Sequence, residues 1–539
     1  VHDAGSESFT DAERSALAEV VTDTEGPVFA LRNLPEATKG ALFARYSRSA
    51  KSLRRLWLDE FTVSPEEATD LPGGPRRREG TGRAAELYQR VLVEFGDDSV
   101  AQLGGAHLAC EGVSNVATKV LERGRLMAYL EQSTRYVPFD RRSADGRWRY
   151  WRDPDVIASP LGADYISCLN GLFETYAKLR PALEAHLFET VGGQRDDPAL
   201  VRAVRAAGLD GLRGLLPAAT TTNLGLFGSA QSYESLLVHL DGHPLAELRA
   251  LREAMLIQLR QVIPEMLSRV DQPSRGGRWA AYLAEREARL AEAARAALPA
   301  EQGVSSPGVR LVAFDPDGEL RILAAALAQA GGVSEGHARA WVERQDGTEL
   351  DRLFALAVGE RSNRRHRPGR AFEATHYRFE VVCDYGAFRD LQRHRMLTID
   401  WLPLTPDLGY EVPSDVDAAG LGVGYADAME RAGELYYRLA EHFSDQAVYV
   451  VPMGYRIRFV VDFNAREAMH LIELRSQPQG HPAYRAVAQA MLEQIETVAG
   501  HRRLAQAMTF ADRQPSVELG RLAAERRSEA RRQAGSTCG

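Results

Sequence analysis

The chain has 539 residues, 45% of them hydrophobic and 26% charged, a composition that suits a globular protein of two to four domains at about 150 residues each and is too apolar for a disordered one. The formal charge of −8, from 66 Lys and Arg against 74 Asp and Glu, argues against a general nucleic-acid binder but leaves room for a local cationic pocket. No apolar run reaches the roughly eighteen residues of a transmembrane helix, so no membrane span is expected. The acidic N-terminal stretch lacks the basic and apolar regions of a secretory signal. Cys110, Cys168, Cys383 and Cys538 are widely spaced and form no Cys/His ligand cluster, which predicts a reducing, cytoplasmic setting with no disulfide framework and no metal site.

In chain order, an N-terminal extension over 1–25 precedes a strand-like run, Pro27 to Leu31, and then helical patterns. The first half closes after the amphipathic stretch LREAMLIQLRQVIPEML, so a first domain is expected over 26–270. A polar, turn-rich linker with a helix over about Ala280 to Leu298 occupies 271–307. A second domain is expected over 308–512, opening with a strand from Val309 to Phe314, the turn DPDG and a helix from Leu320 to Ala330. The Arg- and Glu-rich tail over 513–539 reads as a solvated helix that frays at its end. Within each half the same order recurs: helix, basic or polar cluster, long connection, then a strand entering a helix. That order predicts a tandem duplication of a unit of roughly 200 to 250 residues.

Arg393-His394-Arg395 offers two guanidiniums and an imidazole at the end of an apolar helical pattern, a set able to clamp a phosphate. By itself it also reads as a solvated basic stretch, and so does the second such triplet, Arg365-His366-Arg367, which a Pro-Gly pair places in a loop. In Glu131-Gln132-Ser133-Thr134-Arg135-Tyr136, an extended backbone puts Glu131, Ser133 and Arg135 on one side, where they suit a phosphorylated, hydrogen-bonding ligand or simply a polar strand edge. The stretch from Arg458 to Arg475 reads as a strand entering a helix. Asn464 is its N-cap, with Glu467 as the reciprocating carboxylate. Arg475, eleven positions on, returns to within roughly 20° of the same helix face.

Together these segments resemble the flavin-dependent thymidylate synthases, whose signature runs R-H-R, two residues, S, one residue, N-E, one residue, S, one residue, R. Arg123 to Arg135 aligns with it without a gap, keeping both arginines and Glu131, Ser133 and Arg135, but with Gly124 for the His, Ala128 for the first Ser and Leu130 for the Asn. The second half keeps Arg393-His394-Arg395, has Thr398 where that Ser would be, and loses the nucleotide loop. The family's flavin-facing Phe-Glu matches Phe372-Glu373, against Ser99-Val100-Ala101-Gln102 in the first half. Its Asn-x-Arg and the following Arg match Asn464, Arg466 and Arg475, against Ser229-Ala230-Gln231 with no later Arg.

The resemblance implies an α+β fold, two tandem domains of helices packed on a small mixed or antiparallel sheet. It implies complementary halves: Glu131, Gln132, Ser133, Arg135 and Arg475 toward dUMP, and Glu373, Arg393, His394, Arg395, Asn464 and Arg466 toward FAD. Arg475, Ser133 and Arg135 are the candidate catalytic set, with Ser133 a hydrogen-bonding residue, not a nucleophile. The implied reaction is methylation of dUMP at C5, with methylenetetrahydrofolate giving the carbon and FAD, reduced by NADPH, the hydride. A homodimer of such chains would imitate the family's tetramer. The lost motif positions keep two other readings open: a related flavin-dependent C5 modification of another pyrimidine nucleotide, and a non-catalytic nucleotide-binding or structural homologue.

Overall fold

The computed structural model describes residues 8–46, 49, 51–61, 102–192, 196–298, 308–514 and 519–536. Ser99 to Ala101, the close of the linker and Cys538 lie outside the described residues. The chain is mixed helix and sheet, with two small antiparallel sheets. It divides into two compact units that cross the midpoint of the sequence. One comprises Val1–Glu111, Leu126–Glu131 and Asn223–Ala300; the other comprises Gly112–Arg125, Gln132–Thr222 and Glu301–Gly539.

In the first unit the helix Asp11–Val20 starts at a capping box between Thr10 and Glu13. Leu17, Val20 and Val21 pack there against Phe9, Phe29, Leu31 and Trp57. The strand expected from Pro27 to Leu31 is not formed. Pro27 has no amide to donate, Arg54 lies over the Phe29 ring at 3.9 Å, and the segment joins Val21 only through a single bridge at Leu31. The sheet orders β1 (Gly105–Ser114), β3 (Thr221–Ser229) and β2 (Met127–Glu131) with β3 central. The linker helix runs over Gly276–Ala297 and is exposed along most of its length.

The second unit holds a four-stranded sheet of order β4-β5-β7-β6: Gly308–Phe314, His376–Asp384, Arg456–Asn464 and Thr398–Trp401. β5 pairs with β7 along its whole length, from His376 opposite Asn464 to Asp384 opposite Arg456. Strict alternation on β7 buries Ile457, Phe459, Val461 and Phe463 beside Tyr377, Phe379 and Val381 of β5. The helix expected from Leu320 to Ala330 spans Gly318–Gly331. The tail helix, Leu522–Ser536, is docked rather than free: Arg202 of the helix Pro198–Leu212 reaches Glu525 at 3.0 Å and Glu529 at 2.8 Å, and Arg521 donates to the Tyr136 hydroxyl at 3.1 Å. Its charged face finds opposite charges on the body of the unit, which the isolated tail sequence does not reveal.

The duplication is visible element by element. Ser114 and Asp384 each cap a seven-residue helix, Asn115–Leu121 and Tyr385–Leu391. The nine-residue strands β3 and β7 each run directly into a helix, Ala230–Asp241 and Ala465–Arg475. Matching amides make matching bonds: Asn115 to the Thr220 carbonyl and Tyr385 to that of Tyr455, then Val116 to Ala218 and Gly386 to Met453. Two segments centred on Pro217 and Pro452 lie antiparallel in the second unit. Ala218 N–H donates to Val451 (2.8 Å), Met453 to Leu216 (2.9 Å) and Gly454 to Gly214 (2.9 Å), so corresponding positions pair about a local two-fold. The approach is close: a Cβ on Gly214 would sit 2.1 Å from the Tyr425 hydroxyl and 3.2 Å from the Gly454 Cα. Gly214→Ala is therefore expected to cost about 1–3 kcal/mol through overpacking, measured as a lower urea midpoint than that of Gly211→Ala, whose new methyl meets only side-chain atoms at 3.1 and 3.6 Å.

Candidate active site

The site is built on the helix Ala465–Arg475. Asn464 caps it as expected, its Oδ1 accepting from the Glu467 amide at 2.9 Å. The reciprocal half of the capping box is absent. Glu467 instead accepts from His394 Nδ1 at 2.8 Å, and His470 Nδ1 lies 3.2 Å from both carboxylate oxygens. The carboxylate takes two imidazoles as partners in place of the amide at the start of its own helix. His394 is almost wholly buried, and its other nitrogen, Nε2, accepts from Arg475 Nε at 3.0 Å.

The protonation of this chain is fixed from both ends. Burial opposes charge on Glu467, but the bonds from His394 and His470 hold its pKa down to about 2. Burial, only partly offset by the Glu467 bond, lowers His394 to about 4. A neutral imidazole facing a guanidinium donor at Nε2 carries its proton on Nδ1. His394, Glu467 and His470 also have the composition of a small metal site, with ligand atoms within 4.8 Å of one another. In the tautomer these bonds set, Nδ1 carries a proton that a metal binding there would have to displace.

Arg475 stands over the Tyr484 ring at 5.4 Å, and Arg135 approaches the same ring at 5.9 Å while donating to its hydroxyl at 3.0 Å. The two arginines, one from each half's motif, thus converge on one tyrosine within the second unit. Arg135 is also forked onto Asp210 at 2.7 and 2.6 Å and donates to the Gln479 carbonyl at 3.3 Å. Burial acts against its charge, and Asp210 more than compensates, raising its pKa. Asp390, three positions before Arg393, takes a bond from Arg213 at 3.1 Å. Burial raises its pKa, but Arg213, Arg475, Arg393 and Arg135 bring it far below the carboxylate range. His481 caps the helix Pro482–Thr497 and approaches the Asp210 carbonyl at 3.3 Å; burial and then Arg213 lower it to about 4.

The other predicted residues divide. Glu131 ends β2 opposite Leu224, in the first unit, while Ser133 and Arg135 belong to the second. The extended backbone expected through them stops at Glu131. Ser133 opens a turn, its carbonyl accepting from Tyr136 and Val137 and its Oγ from the Arg135 amide, so Ser133 and Arg135 are not on the face of one strand. The Gln132 carbonyl accepts from Thr222 at 3.3 Å. Arg393 and Arg395 are exposed on either side of buried His394. Arg466 donates to the Pro368 carbonyl at 2.9 Å and lies 3.5 Å from Glu373, which also pairs with Arg370 at 3.3 Å. His394, expected to meet a cofactor, has both ring nitrogens committed inside the protein. Asp210, Asp390, His470, His481 and Tyr484 were not singled out from sequence; the i,i+3 spacing of Glu467 and His470 was the one local signal.

The profile of the thymidylate synthase complementing protein family (Thy1) matches residues 43–265 and again 310–500. The chain belongs to the Thy1 family. Relatives of two lengths are similar to it. A UPF0159 protein of Chlamydia pneumoniae is 39% identical over 97% of this chain and 98% of its own length. A flavin-dependent thymidylate synthase of Mycobacterium sp. (strain JLS) is 28% identical over 39% of this chain and 85% of its own length, as a duplicated chain requires. Among solved structures, thymidylate synthase X of Helicobacter pylori with FAD and dUMP is similar at 20% identity and a TM-score of 0.28, over 38% of this chain and 99% of its own.

The lowered imidazoles of this Thy1 chain, His394 and His481 at the site together with His243 and His501, which burial also lowers, set a pH dependence. A histidine whose native pKa lies below its unfolded value of about 6.5 binds fewer protons folded than unfolded, so stability is full above 6.5 and falls as pH drops toward 4. The urea midpoint is expected to fall across that window. His481→Asn, which keeps a capping side chain but cannot titrate, should flatten the fall.

Proposed function

We propose that the chain is a flavin-dependent thymidylate synthase-like enzyme that transfers a one-carbon unit from methylenetetrahydrofolate to C5 of dUMP. The observation that carries this reading is the convergence of Arg135 and Arg475 on Tyr484, beside the Arg393-His394-Arg395 segment. A pyrimidine nucleotide needs a cation for its phosphate and a donor for charge that develops on the ring as C5 reacts, and in this reading Arg475 supplies the donor. Arg135, neutralised by Asp210, orients Tyr484 and borders the nucleotide rather than standing as a bare phosphate anchor.

The residues present fit FAD on the surface of the second half. The exposed guanidiniums of Arg393 and Arg395, with Arg466 tethered to Pro368, would hold its pyrophosphate. FAD supplies the hydride when bound, with NADPH as reductant. Asn464 and Glu373 support this surface, Asn464 by fixing the helix start and Glu373 by pairing with Arg466. The first half keeps Arg123 and Arg125 at the places of Arg393 and Arg395 but has Gln231 for Arg466, Ser229 for Asn464 and Gln102 for Glu373, so the set that would hold the pyrophosphate is incomplete there, and Leu240 stands for Arg475. One site per chain follows, and a homodimer is the assembly this reading favours.

Purified protein is expected to bind about one FAD per chain, by its visible spectrum against protein concentration. It should release tritium from C5-labelled dUMP in the presence of methylenetetrahydrofolate and NADPH. Arg475→Ala should lower that rate by about 10²–10³-fold, the cost of losing one well-placed donor. Two FAD per chain would overturn the specialised halves. FAD binding without release from dUMP, but with release from another labelled pyrimidine nucleotide, would favour the related C5 chemistry. No FAD at any concentration would leave a non-catalytic homologue.

A further inference from the structure

We infer that Glu467 and His394 form a two-residue device that aims Arg475, with Glu467 fixing the proton of His394 on Nδ1 so that Nε2 always faces the Arg475 Nε–H as an acceptor. Every part of the device is buried or half-buried. The side chains of His394 and Glu467 are 2% and 5% exposed, and the contacts are 2.8 Å at one end of the ring and 3.0 Å at the other. A free imidazole has two tautomers, one of which would turn an N–H toward the guanidinium and repel it. The carboxylate removes that tautomer. Arg475 then has one nitrogen committed, and its plane is set by a ring that cannot turn without breaking two bonds. His470, on the outer side, holds the carboxylate in place through its own Nδ1 at 3.2 Å.

The duplication supplies an internal comparison. In the first half the positions of His394, Glu467, His470 and Arg475 are Gly124, Ser232, Ser235 and Leu240, so the whole device is missing while the strand, the cap and the helix around it are kept. The fold therefore forms without it. Its members are present together where Arg475 is present and absent together where Arg475 is absent. That pattern assigns Glu467 and His394 as positioning residues of Arg475 rather than parts of the helix–sheet core. Their effect on nucleotide chemistry rests on the proposed function, but the device itself does not.

The test has two readouts. In the first, ¹⁵N spectra of histidine-labelled protein without any ligand should show His394 neutral and protonated on Nδ1. That state should persist in Glu467→Gln, whose amide oxygen still accepts, and be lost in Glu467→Leu. An Nε2–H tautomer, an imidazolium, or a divalent ion bound one per chain and shifting these signals would overturn the device. In the second, calorimetric titration of the flavin-loaded protein with dUMP should show about tenfold weaker binding in Glu467→Leu, as expected for a misplaced charged donor. Glu467→Gln, and His394→Gln with its own acceptor oxygen, should stay close to wild type. Weakened binding in Glu467→Gln equal to that in Glu467→Leu, or unchanged binding in Glu467→Leu once the tautomer is lost, would overturn the positioning role. If wild-type protein shows the expected tautomer but binds no dUMP, the device stands and the nucleotide reading falls.

Discussion

The antiparallel pairing of the Pro217 and Pro452 segments is the constraint on which the rest of the second unit depends. Main-chain bonds at 2.8–2.9 Å join residues that occupy equivalent places in the two repeats. Each proline lacks an amide, so the bonds fall on the neighbours to either side, and the glycines at 214 and 454 let the backbones meet. Near this seam the Tyr385 hydroxyl donates to the Asn115 carbonyl at 3.1 Å, and these two residues are themselves counterparts. A seam of backbone bonds leaves little freedom for the helices attached to it. Asp210, in the last turn of the helix Pro198–Leu212 of the first repeat, is thereby delivered with Arg135 to the helix that begins at Pro482 in the second.

Electrostatically the site is a mixed-charge cluster rather than a bare cationic pocket. Arg135, Arg213, Arg393 and Arg475 are close enough to lower the pKa of one half-buried carboxylate, Asp390. Without such carboxylates the guanidiniums would repel one another in a medium that screens poorly. Asp210 and Asp390 allow them to gather, and neutral His394 lets Glu467 act on Arg475 without placing the two charges in contact. The buried pair of Arg361 and Glu473, side chains 4% and 1% exposed, secures the last turn of the same helix from its other side. Removing one partner of such a pair leaves a charge stranded, which is why these positions resist simple truncation.

Much of this architecture is legible in the sequence because it is periodic. The alternation of β7, the Asn464 cap, the strand–helix junction and the repeated order of elements all lie within local segments, and local segments are where pattern carries information. The convergence of Arg135 with Arg475 follows from the matching motifs taken as a set. What the sequence does not reveal is which neighbour claims each polar group. Glu467 obeys the spacing of a capping box yet turns to His394, seventy-three positions away in the chain. Arg135 has the form of a free clamp but is taken by Asp210. The run from Pro27 to Leu31 has the composition of a strand but meets the backbone of Val20 and Thr22 only at its end, while Arg54 covers Phe29. In each case a tertiary partner outcompetes the local one.

Covalent fusion of the repeats has a consequence beyond geometry. In an assembly of identical subunits every substitution appears on both sides of a two-fold axis, so a change useful on one side is imposed on the other. Here the axis lies within a single polypeptide, and the codons on its two sides are separate. Tyr385 faces Asn115 rather than a second tyrosine, and Asp390 lies one repeat from Val120. Heredity has uncoupled positions that symmetry would have kept equal, leaving one repeat free to drift in its polar residues while it continues to supply backbone and bulk to the other.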